Sequence, residues 1–169
     1  MSETVTLRRV TEADAEALIA GNRASLALHH PWVEPFVTRE SFDRWLAETR
    51  GHRKVALLAT CESGIVGVIN LNEIVMGIFR SAYLGYYGMA GFTGRGLMTR
   101  AVELAVSYAF REVGLHRVEA NIQPSNLPSR ALVQRLGFRL EGFSPRYLYI
   151  AGAWRDHERW TRLSDDPTH

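Results

Sequence analysis

Residues 82–103 read AYLGYYGMAGFTGRGLMTRAVE, and the fold turns on this stretch. It starts as an aromatic strand, passes through the glycine turn Thr93-Gly94-Arg95-Gly96 and runs straight into a helix. The helical period shows in a polar stripe of Arg100, Glu103, Ser107 and Arg111, with Leu97, Ala101, Leu104, Ala105 and Tyr108 on the other side. The first turn of a helix has N–H groups without internal partners, and the helix dipole adds partial positive charge there. Glycine lets the backbone approach a phosphate without a Cβ in the way. Strand, glycine turn and helix start therefore make an anion seat suited to a pyrophosphate, with Arg95 and Arg100 adding positive charge. The turn is neither GxGxxG nor followed by GK[ST], which disfavours a dinucleotide fold and an NTPase. Taken alone, a GRG turn also fits an ordinary strand-to-helix connection.

Towards the N-terminus lie two β-rich runs, KVALLATC and GIVGVINLNEIV, split by the hairpin signal Glu62-Ser63-Gly64. Before them come a strand, VTLRRV, and a helix, TEADAEALIAGNRASLAL, with Thr11 as N-cap and Ala15, Leu18, Ile19 and Leu26 as its apolar positions. The loop HHPWVEPFV is broken by Pro31 and Pro35, and a second helix is predicted over residues 38–50 with Phe42, Trp45 and Leu46 on one face. Towards the C-terminus, Gly114 ends the long helix and LHRVEANI alternates as a strand. SNLPSRALVQRL is a short helix closed by Gly137, and the chain ends in a hairpin turning at Ala151-Gly152. The order β-α-α-β-β-β-α-β-α-β-β predicts an α/β (α+β) domain, a central mixed sheet with helices on both faces. Residues 1–163 read as this one domain and residues 164–169 as a polar C-terminal tail.

Composition bounds the function. A chain of 169 residues with 46% hydrophobic and 22% charged residues suits one globular core. A net charge of +2 argues against a dedicated nucleic-acid binder. There is no signal-peptide pattern and no apolar run long enough to span a bilayer, so a membrane role is not expected. Cys61, the sole cysteine, excludes an internal disulfide, reads as a buried inert thiol within VALLATC and fits a reducing, cytoplasmic setting. Lys54 is the only lysine; the many arginines suit phosphate, although a coding bias gives the same count. His29 and His30 are adjacent, a poor spacing for ligands of one metal, and no HExxH or CxxC accompanies them, so no metal site is expected.

The turn Thr93-Gly94-Arg95-Gly96-Leu97-Met98 resembles the cofactor loop of the GNAT superfamily of N-acetyltransferases, Gln/Arg-x-x-Gly-x-Gly/Ala. It matches at Gly96 and departs at Thr93 and Met98. Asn126-Leu127-Pro128-Ser129-Arg130 and Leu136-Gly137-Phe138 resemble the family's Asn-x-x-Ser segment and closing Leu-Gly-Phe. Gly67-Val68-Ile69-Asn70-Leu71, Leu84-Gly85-Tyr86-Tyr87 and Trp154-Arg155-Asp156-His157 resemble the branch that acetylates ribosomal-protein N-termini. The resemblance implies the GNAT fold, a mostly antiparallel seven-stranded sheet splayed between two parallel strands. It also implies acetyl-CoA as acetyl donor and a homodimer.

Site roles follow from the same resemblance. Tyr86, Tyr87 and Gly88 lie on the splayed strand, whose free backbone groups would pair with the pantetheine arm and polarise the acetyl carbonyl. Thr93, Gly94, Arg95, Gly96, Leu97 and Met98 form the pyrophosphate loop, with Met89 or Met98 setting the depth available to the acyl group. Asn126, with Arg130, contacts the CoA arm, and Asn126 equally suits a helix cap. Ser129 is the general acid or stabilises the leaving sulfur; a solvated helix-start serine is the plainer alternative. Glu73 is the first candidate for the base that deprotonates the amine, with Tyr147, Tyr149, Asp156 and His157 behind it. His29, Pro31, Trp32, Phe36 and Tyr149 line the acceptor pocket. The acceptor itself stays open between a protein N-terminal α-amine, a small amine (polyamine, amino acid or antibiotic), and none at all in a non-catalytic CoA-binding module.

Overall fold

A computed structural model of the chain describes residues 3–167. Seven strands form one sheet in the order β1-β2-β3-β4-β5-β7-β6: β1 (Thr6–Arg9), β2 (Val55–Cys61), β3 (Gly64–Val75), β4 (Ser81–Gly88), β5 (Arg117–Ile122), β6 (Arg139–Ile150) and β7 (Ala153–Leu163). Every neighbouring pair is antiparallel except β4 and β5. These two parallel strands pair only at Ser81, Ala82 and Tyr83, against Arg117, Val118 and Glu119. From Leu84 onward β4 turns away, and the sheet splays as the fold class expects.

Helices cover both faces because the strands are apolar on both. On β2, Leu57 and Ala59 belong to one core cluster while Ala56 and Leu58 belong to the other. The first cluster is completed by α4 (Leu97–Arg111) and α5 (Leu127–Arg135), which bring Ala101, Val102, Ala105 and Leu132 to the sheet. The second takes Ala15 and Leu18 from α1 (Ala15–Ala24) and Phe42 from α3 (Arg39–Ala47). Thr38 begins α3 by accepting the Ser41 N–H on its hydroxyl, and a 3-10 turn extends the helix to Arg50.

The expected first helix is broken. Its start is a 3-10 turn, and α1 stops before Ser25, after which α2 (Leu26–His29) sets off afresh. Ser25 is buried and its hydroxyl accepts the N–H of Ala90, tying the break to the loop beyond β4. As a result Leu26 is exposed rather than a core residue. Cys61 is half-buried, and its thiol donates to Glu3 at 3.2 Å. The expected polar tail is held where it is described: the Ser164 N–H donates to the His116 carbonyl, and Arg139 pairs with Asp166. Residues 1 and 2 of the expected domain and residues 168 and 169 of the expected tail lie outside the described residues.

Met98 departs from the family's small residue, and the sheet makes room for it. Gly67 on β3 lies opposite Gly88 on β4, and the Met98 side chain fills the space over both. A Cβ at Gly67 would meet Met98 Sδ at 2.6 Å and collide with the Tyr87 carbonyl oxygen, which is backbone and cannot swing aside. Gly67→Ala should therefore destabilise the fold by about 1–3 kcal/mol, as overpacking does. Thermal unfolding followed by circular dichroism should show a correspondingly lower Tm.

Candidate active site

The divergence of β4 from β5 opens two cavities. One, about 460 Å³, lies on the side of the β6–β7 hairpin, between that hairpin, the loop after α2 and the ends of β3, β4 and β5. The other, about 430 Å³, lies between β4, the start of α4 and one face of α5. Trp32, Val33, Tyr86, Tyr87, Asn126 and Ser129 line both, so the cavities meet at these residues.

At this junction the Tyr86 hydroxyl and Ser129 Oγ are 2.6 Å apart. Burial pushes the Tyr86 phenol up to about 12, despite the opposing effect of the Ser129 hydrogen bond, so it stays protonated. Asn126 Oδ1 accepts the Ser129 N–H at 3.3 Å, capping α5 and fixing the serine in its first turn.

The helix-side cavity is built to receive a phosphate-bearing arm. Gly94 and Gly96 have φ of +71° and +73°, and neither has a heavy atom within 4 Å of where a Cβ would sit. No side chain caps α4, leaving its first N–H groups to a ligand. Along the opposite wall, β4 beyond Tyr83 has no strand partner on the β5 side. A free strand edge leading to an uncapped helix start fits the amides and the pyrophosphate of CoA.

The hairpin-side cavity is apolar at Trp32, Phe36, Leu148 and Ile150, with polar groups between. Asn70 and Asn121 each have a buried Oδ1 without a hydrogen-bond partner among the described residues. His157 is 2% exposed, and its Nδ1–H donates to the Arg155 carbonyl at 2.9 Å, leaving Nε2 as the acceptor nitrogen. Burial holds its pKa below that of a free imidazole, outweighing the Arg155 hydrogen bond and the Asp156 charge. Glu34 is the one carboxylate of this lining, and it accepts the Ala151 N–H at 3.3 Å.

Residues 4–139 match the family model described as acetyltransferase (GNAT) domain. The chain belongs to the GNAT acetyltransferase family. It is 44% identical over 96 residues to the [ribosomal protein uS5]-alanine N-acetyltransferase of Escherichia coli, covering 57% of this chain and 50% of that protein. It is 36% identical over 110 residues to a probable N-acetyltransferase, YjcK, of Bacillus subtilis, covering 65% of this chain and 61% of the relative. The matches thus span about half to three fifths of these curated relatives. Among solved structures, Mycobacterium smegmatis RimJ in complex with CoA-disulfide is 32% identical with a TM-score of 0.88, covering 97% of this chain and 85% of that one. GNAT acetyltransferases use acetyl-CoA, and the helix-side cavity of this GNAT chain matches that chemistry. Among the described residues no group of three or more His, Cys, Asp or Glu is placed to hold a metal ion, and no helix is long and apolar enough to cross a membrane.

Several residues expected at the site are brought together: Tyr86, Tyr87, Gly88, Thr93, Gly94, Gly96, Met98, Asn126, Ser129 and Trp32 line the helix-side cavity, and Phe36 lines the other. Others lie elsewhere or are engaged by neighbours. Glu73 sits on a β-bulge with φ of +49°, at the end where β4 and β5 remain paired; it pairs with Arg53 and lines neither cavity. Arg95 turns back to Glu3 at 2.7 Å, and Arg130 pairs with Glu158 at 3.0 Å. The Leu97 side chain is core, leaving only its backbone to the loop. His29 lies in the helix-side cavity, where its Nε2–H donates to the Gly88 carbonyl at 2.8 Å, and not in the acceptor pocket. Pro31 lines neither cavity; its carbonyl accepts from Gln123. Tyr149 stands on the far side of the hairpin from Leu148 and Ile150, paired across the strands with Trp154 at 5.6 Å.

Sequence reasoning missed Arg135. It lines the helix-side cavity with Pro128, Ala131 and Leu132, one helical face of α5 at i, i+3, i+4 and i+7. The helical spacing from Pro128 to Arg135 is the signal in the sequence that points to it. Gly96→Val would force a β-branched residue into the left-handed region at a cost of about 1–2 kcal/mol, pulling the loop out of line with α4. Calorimetric titration should then show acetyl-CoA binding weakened by roughly tenfold or more.

Proposed function

We propose that this chain is an N-acetyltransferase that moves the acetyl group of acetyl-CoA directly onto the α-amine of a polypeptide. The observation that carries this reading is the meeting of two cavities at a hydrogen-bonded Tyr86–Ser129 pair. The helix-side cavity takes the donor and the hairpin-side cavity takes the acceptor. When bound, acetyl-CoA supplies an electrophilic thioester carbonyl and a thiolate leaving group. The free N–H groups of β4 donate to the carbonyl oxygen as charge grows on it. Ser129 passes its hydroxyl proton to the departing sulfur and recovers one from Tyr86, a phenol at rest that regains its proton from solvent as the products leave. Cys61, the sole thiol, lines neither cavity, so direct transfer is preferred to an acyl-enzyme.

On the acceptor side, the Oδ1 atoms of Asn70 and Asn121 accept from the N–H groups of the amine, satisfying both buried oxygens. His157 Nε2 takes the amine proton. This replaces Glu73 in the role of base. A polycation pocket would need several free carboxylates, whereas this one has Glu34 alone, already engaged by Ala151. Apolar walls and neutral acceptors suit a small first residue followed by more chain, as in the relative named for alanine of uS5. A cytoplasmic setting, where thiols stay reduced, fits the single free cysteine.

Calorimetry with acetyl-CoA, followed by mass spectrometry of Ala- and Ser-initiated peptides incubated with enzyme and acetyl-CoA, tests the reading. Saturable binding and a single acetyl group on the N-terminus are expected; no binding, or acetylation of polyamines but not of peptides, would overturn it. Ser129→Ala and Tyr86→Phe should lower kcat by about 10²-fold or more, the usual scale for general acid catalysis, and move the acetyl-CoA KM little. The pH profile of kcat/KM reports His157. Its folded pKa lies below the ordinary 6.5, so the base stays neutral until the pH drops below that value, and activity falls as it becomes protonated. His157→Gln should lower the rate and remove that acid limb.

A further inference from the structure

A third cavity, about 400 Å³, adjoins the hairpin-side cavity on the same face of the sheet. Three neighbouring strands contribute to both, each with residues two apart. On β4, Tyr83 lines the outer cavity and Gly85 the inner one; on β5 the pair is Glu119 and Asn121; on β7 it is Arg159 and His157. Residues at i and i+2 share a face and are about 7 Å apart. Tyr147 of the outer cavity stacks edge-on against His157 of the inner one, with ring centroids 6.2 Å apart. One groove thus runs from the proposed amine site into the outer cavity.

The charges of the outer cavity are engaged, with one exception. Arg117 is held by Glu119 at 2.9 Å, Glu141 at 2.6 Å and Thr161 at 2.8 Å, and Glu73 is paired with Arg53. Arg159 has no ion pair and no hydrogen bond among the described residues, and its Nε is buried without a partner. Its guanidinium lies across Gly142, with Nη2 2.5 Å from where a Cβ would sit, so the glycine is what lets it lie there. Beside it the hydroxyls of Tyr83 and Tyr147 are 3.5 Å apart. A half-buried cation with no ion pair among the described residues and two phenols make a binding surface for a carboxylate.

We propose that this outer cavity binds an acidic side chain at the third or fourth residue of the acceptor polypeptide, with Arg159 as its counter-charge. The proposal rests on the reading of the acceptor as a polypeptide amine. A fully extended chain advances about 3.3–3.6 Å per residue, so the roughly 7 Å step between cavities corresponds to two residues beyond the acetylated one, or three where the chain is less extended. Tyr83 and Tyr147 donate to the same carboxylate. The hydrogen bond with the Tyr83 hydroxyl, with burial adding to it, pushes the Tyr147 phenol up to about 12, so it remains a donor. The site discriminates against a polyamine, because a cationic tail arriving here meets Arg159.

The test uses the full chain, acetyl-CoA and Ala-initiated hexapeptides carrying Glu, Gln or Lys singly at positions 2 to 5. Glu at position 3 or 4 should lower the peptide KM about five- to tenfold relative to Gln, with kcat little changed, and Lys should raise it. Arg159→Gln should erase the Glu advantage and Arg159→Lys should keep part of it, with circular dichroism confirming that both are folded. Tyr147→Phe, which leaves the guanidinium in place, should reduce the preference without abolishing it. Equal KM for Glu and Gln at every position, or a Glu preference that survives Arg159→Gln, overturns this proposal alone. Acetylation of spermidine but of none of the peptides overturns the polypeptide reading and this subsite with it.

Discussion

The parting of β4 from β5 governs the rest of the structure. Three residues of parallel pairing hold the strands together at one end, and beyond Tyr83 the two edges run free. Unpaired buried backbone groups cost roughly 1–3 kcal/mol each, so such a gap lasts only where solvent or a ligand reaches it and the surroundings hold it open. The surroundings here do both. The first core cluster anchors β5 through α4 and α5, and the second anchors β4 through Tyr87, Phe36 and Phe42. His29 holds the far end of β4 by donating to the Gly88 carbonyl. The two cavities supply access to the free edges, and the site is a consequence of leaving them unpaired.

Electrostatics then separates the arginines that are paired within the chain from those that are not. Arg95, Arg100 and Arg130 are all engaged by carboxylates of the chain, to Glu3, Glu103 and Glu158. A charge already paired has less to offer a phosphate, since the incoming anion must compete with the first partner. Arg135 and Arg159 differ. Neither has an ion pair among the described residues, and each lines a cavity, one beside the helix start and one beyond His157. Position in sequence near a motif thus does not tell whether an arginine is already paired within the chain.

That difference also marks how far the sequence could be read. Periodicity and glycine punctuation mark all seven strands along the chain, and their alternation with helices points to a sheet covered on both faces. The junction residues Tyr86, Asn126 and Ser129 were legible because their neighbours in sequence carry them there directly. Side-chain direction was harder. Glu73 follows an alternating strand, but the chain bulges at its own position, and it is paired with Arg53 at the outer cavity rather than placed beside His157. Tyr149 is one residue out of phase with Leu148 and Ile150, and a strand sends successive side chains to opposite faces. His29 depended on a helix break at Ser25, itself fixed by a hydrogen bond to Ala90, 65 residues away. Such misplacements have long-range causes that no local pattern contains.

The family match ends at residue 139, where β6 begins, and this boundary separates two kinds of information. Before it lie the glycine turn, the start of α4, the splayed strand and α5, which together form the helix-side cavity. After it come Tyr147, Leu148, Ile150, His157 and Arg159, which close the hairpin-side cavity and its extension. Donor chemistry is common to a family that shares one cofactor, so its residues belong in the shared segment. Acceptors differ from member to member, and a terminal hairpin can change its cavity-facing positions without disturbing either core cluster, since of β6 and β7 only Trp160 enters one as a buried residue. The acceptor of this chain is therefore to be sought in the side chains of its last hairpin, where a neutral imidazole and an unpaired guanidinium lie two residues apart on one strand.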